Sequence, residues 1–272
     1  MIPSPFSYRR ASSVDHALDL LVEHGDEAKL LCGGHSLLPL MKLRLANPTT
    51  LVDIRTLSEL RGIRADGDRL LIGAATRHRE LENDPDVARM APLLAKAAAT
   101  IGDPQVRARG TIGGSVVHAD PAADLAAALL ALDATVTLRG PRGTREVAIS
   151  DFFVDFWQTA IEPDEVLTMI TVPSSVDLPV SFVKFHQRAQ DWAIVGVAAV
   201  GGTSPRVALV NMAATPVRAR AVEEALTNGA GIADAAALAD VGTAPSKDLR
   251  ADATYRRHLA RVMTARALAE VV

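Results

Sequence analysis

Near the start of the chain, apolar positions recur at helical spacing. Val14, Ala17, Leu18, Leu21 and Val22 share one face over residues 13–24, which predicts an amphipathic helix capped by Ser12 or Ser13 and stopped at Gly25. The pattern then changes to short continuous apolar runs. Lys29-Leu30-Leu31-Cys32 reads as a strand that breaks into Gly33-Gly34-His35-Ser36, and Thr50-Leu51-Val52-Asp53-Ile54 reads as a second strand after a basic segment. These elements predict a small α/β unit over residues 1–55.

A hairpin follows, because residues 60–63 and 69–74 flank Ala65-Asp66-Gly67-Asp68, where Asp-Gly favours a tight turn. An Ala-rich helix over 91–101, a glycine loop over 110–115 and a helix over 124–131 come next. A second hairpin (134–138 with 144–149) and a strand over 166–172 complete a second unit, residues 56–173. Residues 173–181 have linker composition. Beyond them, strands near 182–188, 193–201 and 206–213 precede Ala-rich helices, predicting a third unit, 174–272, with a three-stranded antiparallel sheet packed on helices. The fold class is α+β.

Bulk properties narrow the function. The 272 residues suit two or three small cores, and 49% hydrophobic with 22% charged residues is the composition of a folded globular protein. The 29 Lys and Arg against 32 Asp and Glu are scattered, giving a formal net charge of −3, so no nucleic-acid partner is expected. No apolar run approaches the roughly 20 residues of a membrane span, and Met1-Ile2-Pro3-Ser4-Pro5 lacks the basic and apolar regions of a signal peptide; a cytoplasmic protein is expected. Cys32 is the single cysteine, which excludes an internal disulfide and a resident iron–sulfur cluster.

Two glycine segments carry the candidate chemistry. Gly33-Gly34-His35-Ser36 and Thr111-Ile112-Gly113-Gly114-Ser115 each combine a hydroxyl with backbone N–H groups that a missing Cβ leaves accessible, the equipment of a diphosphate cradle without Lys or Arg. Taken singly, either segment is equally a plain turn. The dinucleotide fingerprint G-x-G-x-x-G and the phosphate loop G-x-x-x-x-G-K-[ST] are both missing, so a dinucleotide would need a fold that uses two separated loops.

The segment Lys29-Leu30-Leu31-Cys32-Gly33-Gly34-His35-Ser36-Leu37, continuing to Arg44, together with Thr111-Ile112-Gly113-Gly114-Ser115, resembles the paired FAD loops of the medium subunit of the carbon monoxide dehydrogenase and xanthine dehydrogenase family of molybdenum hydroxylases. Residues 99–107, 118–124, 165–173 and 184–188 with Asp191 extend the likeness over essentially the whole chain. The resemblance implies a vanillyl-alcohol-oxidase-like (PCMH-like) FAD-binding domain of two α/β subdomains plus a C-terminal α+β domain. By position, it implies that residues 29–37 with Thr111, Gly113, Gly114 and Ser115 hold the diphosphate and ribityl chain. It further implies that Ile101 and Gly102 line the flavin pocket, that Asp124 accepts from adenosine hydroxyls, and that Leu167 and Lys184 complete the site. Two departures stand out: Ser115 where the family often has Asn, and Cys32 where Ala is common. Both are small enough to keep the loop shape.

Trp192 is open between stacking on or gating the flavin and packing in a core. His35 is open between donating to a phosphate and stabilising its own loop. His118 and His186 read as structural or surface residues, and no spacing suggests a metal site. The resemblance implies an oxidoreductase subunit in which FAD sits on this chain, while a large subunit holds molybdenum-pterin and a small subunit holds [2Fe-2S] clusters, assembled as a dimer of heterotrimers. Two rival readings are a self-contained flavin oxidoreductase, which lacks any conspicuous acid/base pair here, and an assembly subunit with a degenerate site, against which both loops keep their glycines.

Overall fold

The computed structural model describes residues 2–272. In the first unit, β1 (Ser7–Arg10), β2 (Ala28–Leu31) and β3 (Thr50–Asp53) form a parallel sheet in the order β1-β3-β2, with α1 (Val14–His24) and α2 (Leu37–Lys42) in the connections. Helix α1 largely follows its pattern: Ser13 accepts from the His16 N–H, Val14, Ala17, Leu18 and Leu21 are buried and Gly25 ends it at φ 52°, but Val22, expected on the same face, is exposed and Leu20 is buried in its stead.

The second unit begins with β4 (Ile63–Asp66) and β5 (Arg69–Gly73), then α3 (His78–Asn83), α4 (Pro85–Met90), α5 (Pro92–Ala99), α6 (Pro104–Arg107), α7 (Ile112–His118) and α8 (Asp124–Ala131). It continues with β6 (Thr135–Gly140), β7 (Gly143–Ala148), α9 (Ile149–Phe152), a small hairpin of β8 (Phe153–Asp155) and β9 (Gln158–Thr159), and β10 (Val166–Pro173). Its five-stranded sheet has the order β4-β5-β10-β6-β7, antiparallel throughout, so the last strand sits in the middle. The β8–β9 hairpin exposes Val154, Phe156 and Trp157; Trp157, at φ 55°, stacks on Phe156 and on His118.

The third unit pairs β11 (Val180–Phe185), β12 (Val195–Val200), β13 (Arg206–Val210) and β14 (Val217–Arg218), with α10 (Arg220–Thr227), α11 (Ile232–Ala236) and α12 (Ala253–Leu268) against it. Three long strands were expected; the two-residue β14 adds a short fourth. One hydrophobic core runs from the five-stranded sheet through α5 and α8 to one face of the C-terminal sheet, reaching Ala198, Val200, Ala208 and Val210. All eight residues of α8 are buried, as a helix between two layers requires. The opposite face of that sheet packs on α12 in a separate cluster, and the parallel sheet has its own core around Val14, Leu18, Val52 and Leu60.

Two expectations are corrected. The first hairpin strand starts at Ile63, not at residue 60, because Gly62 at φ 106° breaks the extended run and Leu60 turns its side chain into the N-terminal core. The second glycine segment is a helix start and no loop: Thr111 is the N-cap of α7, its Oγ1 accepting from the Gly114 N–H at 3.3 Å, and Gly113, Gly114 and Ser115 are helical. A threonine three residues ahead of a glycine is a capping signal that two adjacent glycines obscured.

Candidate functional site

The two glycine segments meet. A Cβ built on Gly33 would lie 2.7 Å from the Arg109 carbonyl oxygen and 2.9 Å from the Gly110 Cα, so the first loop rests directly on the backbone leading into α7. Only glycine permits that approach. The Cys32 side chain hydrogen-bonds the Thr111 hydroxyl; burial pushes the Cys32 thiol above its ordinary value, while Thr111 and the Gly33 N–H pull it back.

The start of α7 is fixed from below by the sheet. A register shift in β10 between Leu167 and Met169 leaves the Thr168 carbonyl to accept from the Ala74 N–H at 3.0 Å. The Gly113 N–H donates to Ala74 O at 2.9 Å, Ile112 to Thr76 O at 3.0 Å, and His78 to Gly110 O at 3.0 Å. A Cβ on Gly113 would strike Ala74 at 2.7 Å, whereas one on Gly114 would meet only Thr111 Oγ1, at 2.8 Å. Gly113 therefore serves packing, and exposed Gly114 presents the open backbone face.

A second cluster lies at the N-terminus of α8. Asp124 is buried; its Oδ2 receives Lys184 Nζ at 2.7 Å, and Lys184 also donates to the Thr100 carbonyl at 3.1 Å. Burial pushes the Asp124 carboxyl up to about 6 against the pull of the Lys184 ammonium and the Thr100 hydroxyl. Its Oδ1 is a buried acceptor with no partner among the described residues. The two clusters are joined by α6, where Arg107 donates to Ile101 O at 3.0 Å and to Glu82 at 2.8 Å. Close by, His78 sits under Gly110, whose added Cβ would be 2.7 Å from the imidazole, and burial lowers His78 to about 4.

A dinucleotide suits this arrangement: an open glycine face at one end, and at the other an orphaned buried carboxylate oxygen that a ligand hydroxyl would satisfy. The structure thus brings Cys32 and Gly33 against Thr111, and Thr100, Ile101, Asp124 and Lys184 into one neighbourhood. Gly34, at φ 78°, has the Leu31 and Leu38 side chains against it, and His35 is exposed. Ser36 immediately precedes α2, and Leu37 opens it. Gly102 adopts φ 48° against Val106, and the Ser115 N–H donates to Thr111 O. Leu30 and Leu31 lie on β2 beneath the loop; Lys29 is exposed there, and Leu167 is buried at the β10 irregularity. Trp192 is 51% exposed, which removes the core reading for it. His186 is tied locally to Arg188 O.

Sequence reasoning missed Thr100, His78 and Asn211. Asn211 leaves β13 at φ 62°; its N–H donates to Pro121 O at 2.9 Å and its side-chain amide to Ala193 O at 2.8 Å. It thereby staples the segment entering α8 to the residue after Trp192. A lone Asn after an apolar strand was the only available signal, and it reads as an ordinary turn.

Comparison with known proteins covers essentially the whole chain. Residues 4–175 match the model of the FAD binding domain in molybdopterin dehydrogenase, and residues 180–271 match the CO dehydrogenase flavoprotein C-terminal domain. The carbon monoxide dehydrogenase medium chain of Hydrogenophaga pseudoflava is 43% identical over 98% of this chain and 97% of its own length. The 6-hydroxypseudooxynicotine dehydrogenase complex subunit alpha of Paenarthrobacter nicotinovorans is 38% identical, covering 100% of this chain and 96% of its own. A solved structure of carbon monoxide dehydrogenase from Hydrogenophaga pseudoflava, lacking the Mo-pyranopterin moiety of its cofactor, superposes with a TM-score of 0.96 at 43% identity, covering 100% of this chain and 98% of that one.

Proposed function

The chain belongs to the family of FAD-binding medium subunits of molybdopterin dehydrogenases, and on that premise we propose that it takes electrons from the iron–sulfur clusters of a small subunit and passes them to an external acceptor. It is the flavoprotein subunit of an oxidoreductase; the molybdenum-pterin and [2Fe-2S] centres belong to its large and small partner subunits. The complete assembly is a dimer of heterotrimers, working in the cytoplasm. Substrate oxidation belongs to the large subunit. Among the described residues no helix is long and apolar enough to cross a membrane.

The observation that carries the reading is Gly33 seated on the backbone of residues 109–111, because it converges two distant segments on one point. Residues 33–36 and the Gly114 face would supply N–H donors and hydroxyls to the FAD diphosphate without a cationic clamp. Asp124 Oδ1 would accept a cofactor hydroxyl, Lys184 keeps that carboxylate oriented, and Ile101 and Leu167 would add apolar walls. Trp192, half exposed, would be available to stack on the flavin or limit access to it. Bound FAD supplies the redox step, matching single-electron clusters to two-electron acceptors. The units 1–55 and 56–173 enclose the cofactor, and 174–272 contributes Lys184 and Trp192.

The test is expression of the chain with and without its neighbouring subunits. Flavin absorbance in the purified chain, its loss in Gly33→Val, and co-purification of a molybdenum-containing large subunit and an iron–sulfur small subunit are the expected results. A colourless wild-type chain that stays colourless after incubation with FAD would defeat the reading.

A further inference from the structure

Trp192 lies in the loop over 186–194 that joins β11 to β12. Among the described residues, nothing in 186–192 hydrogen-bonds beyond the loop itself: His186 Nδ1 meets the Arg188 carbonyl at 2.7 Å, and the Asp191 N–H donates to that same carbonyl at 2.9 Å. The place of the indole is therefore set where the chain re-enters the sheet. There the Ile194 N–H closes the loop on Phe185 O at 2.8 Å, Ala193 O accepts from Asn211, and the Ile194 carbonyl accepts from the Arg256 guanidinium. Arg256 stands in the first turn of α12, 1% exposed, and its other terminal nitrogen donates to Asp248 Oδ2 at 2.6 Å. The residue before it, Tyr255, packs edge-on against Phe185 with ring centroids 6.4 Å apart. Two consecutive residues of α12 thus grip the two ends of the loop.

A guanidinium taken out of water costs stability unless its N–H groups are met. On a helix face that also carries Leu259 and Met263, leucine or methionine would serve packing alone. What the planar fork adds is a fixed link between two acceptors in separate segments, a backbone carbonyl and a carboxylate. Asp248 is built to receive it: its Oδ1 takes the Arg250 and Ala251 N–H groups at 2.8 and 2.9 Å, closing a turn that leaves Oδ2 for the helix. Partial burial pushes the Asp248 carboxyl up, but those N–H groups and Arg256 outweigh it and hold the group below its ordinary value. We propose that Arg256, oriented by Asp248, is the positioning residue that fixes Trp192 relative to the flavin, which rests on the reading that Trp192 borders that cofactor. Access of an acceptor is then set from α12, across the C-terminal sheet from α8.

The experiment uses the full chain carrying Trp157→Phe, which leaves Trp192 as its single tryptophan. Fluorescence anisotropy decay of Trp192 is followed in the flavin-free chain, and reoxidation of the reduced flavin by oxygen in the FAD-loaded chain. Arg256→Met, similar in length but without the N–H groups, is expected to quicken the anisotropy decay and to raise the reoxidation rate by about tenfold, the factor that one lost charge-assisted hydrogen bond allows. Combined with Trp192→Ala it adds nothing further to that rate, because both changes act through the same side chain. Asp248→Asn keeps the turn and removes only the negative partner; it is expected to move both readouts the same way by less, and it carries the test should Arg256→Met fail to fold. An anisotropy decay unchanged in both variants overturns the proposal. So does a rise in reoxidation that persists undiminished in the Trp192→Ala background, since Arg256 would then reach the flavin by another route. A quickened Trp192 with reoxidation unmoved by Arg256→Met and by Trp192→Ala alike upholds the clamp on the loop and sinks only the placing of Trp192 at the flavin.

Discussion

At the level of single residues, two buried ionisable groups give opposite pH signatures. His78 is lowered to about 4 by burial, so the folded chain holds it neutral while the unfolded chain protonates it near 6.5. Its contribution to stability is present above 6.5 and drains away as the pH falls toward 4, amounting to about 2 kcal/mol at pH 5. Asp124, raised to about 6 by burial, behaves in the reverse sense: its contribution is fully present below its ordinary value near 3.8 and is lost as the pH rises through 6. Thermal melts of the flavin-free chain between pH 4 and 7 should therefore become steeper toward acid in Asp124→Asn and flatter in His78→Gln; parallel curves for both would contradict the assignment. Asp124→Asn should also loosen FAD, by about tenfold if one charge-assisted hydrogen bond is lost. Of these residues, only Asp124 was legible in the sequence, through a family motif. A buried histidine beneath a glycine and a threonine whose carbonyl does the work leave no local pattern, because their roles arise from segments far apart in the chain.

Among the secondary-structure elements, the glycines of the cradle sort by what lies beside them. Gly33 abuts backbone and Gly34 abuts the ends of two leucines, so Gly33→Ala should abolish flavin retention while Gly34→Ala weakens it by a strain cost of about 1 kcal/mol. Flavin absorbance per chain after gel filtration measures the difference, and equal losses would mean the two positions are not distinguished by packing. Removing the staple is a second test: Asn211→Ala should mobilise the Trp192 segment and raise both flavin fluorescence and the rate of reoxidation by oxygen, with Trp192→Ala as the control that defines the maximal effect. α1, with its cap and period, and α8, an unbroken run of Ala and Leu, were readable almost to the residue. The short helices α2, α3, α4 and α6 were not, since four to six residues provide too few turns for a period to emerge. For α7 the signal was present but was outweighed by its glycines.

For the molecule as a whole, α8 joins the sheets of the second and third units into one core. Leu129→Ala, fully buried in that helix, should cost about 2–5 kcal/mol and shift the unfolding of both sheets together. Calorimetry of the flavin-free chain should show those sheets melting in one transition; a C-terminal unit that melts on its own would argue against a shared core. Composition announced several cores but not their fusion, because which face of an Ala-rich helix is covered depends on a partner sheet that sequence does not locate.

Placing β10 at the centre of its sheet also sets an order of assembly. While the ribosome is still producing the chain, β5 and β6 have no strand between them, and the carbonyl that steadies Ala74 beneath α7 does not yet exist. Both glycine segments will have emerged long before they can be held against each other, and Lys184 follows β10 by one further strand. Closure of the site thus waits for β10, a non-local pairing of the kind that slows folding.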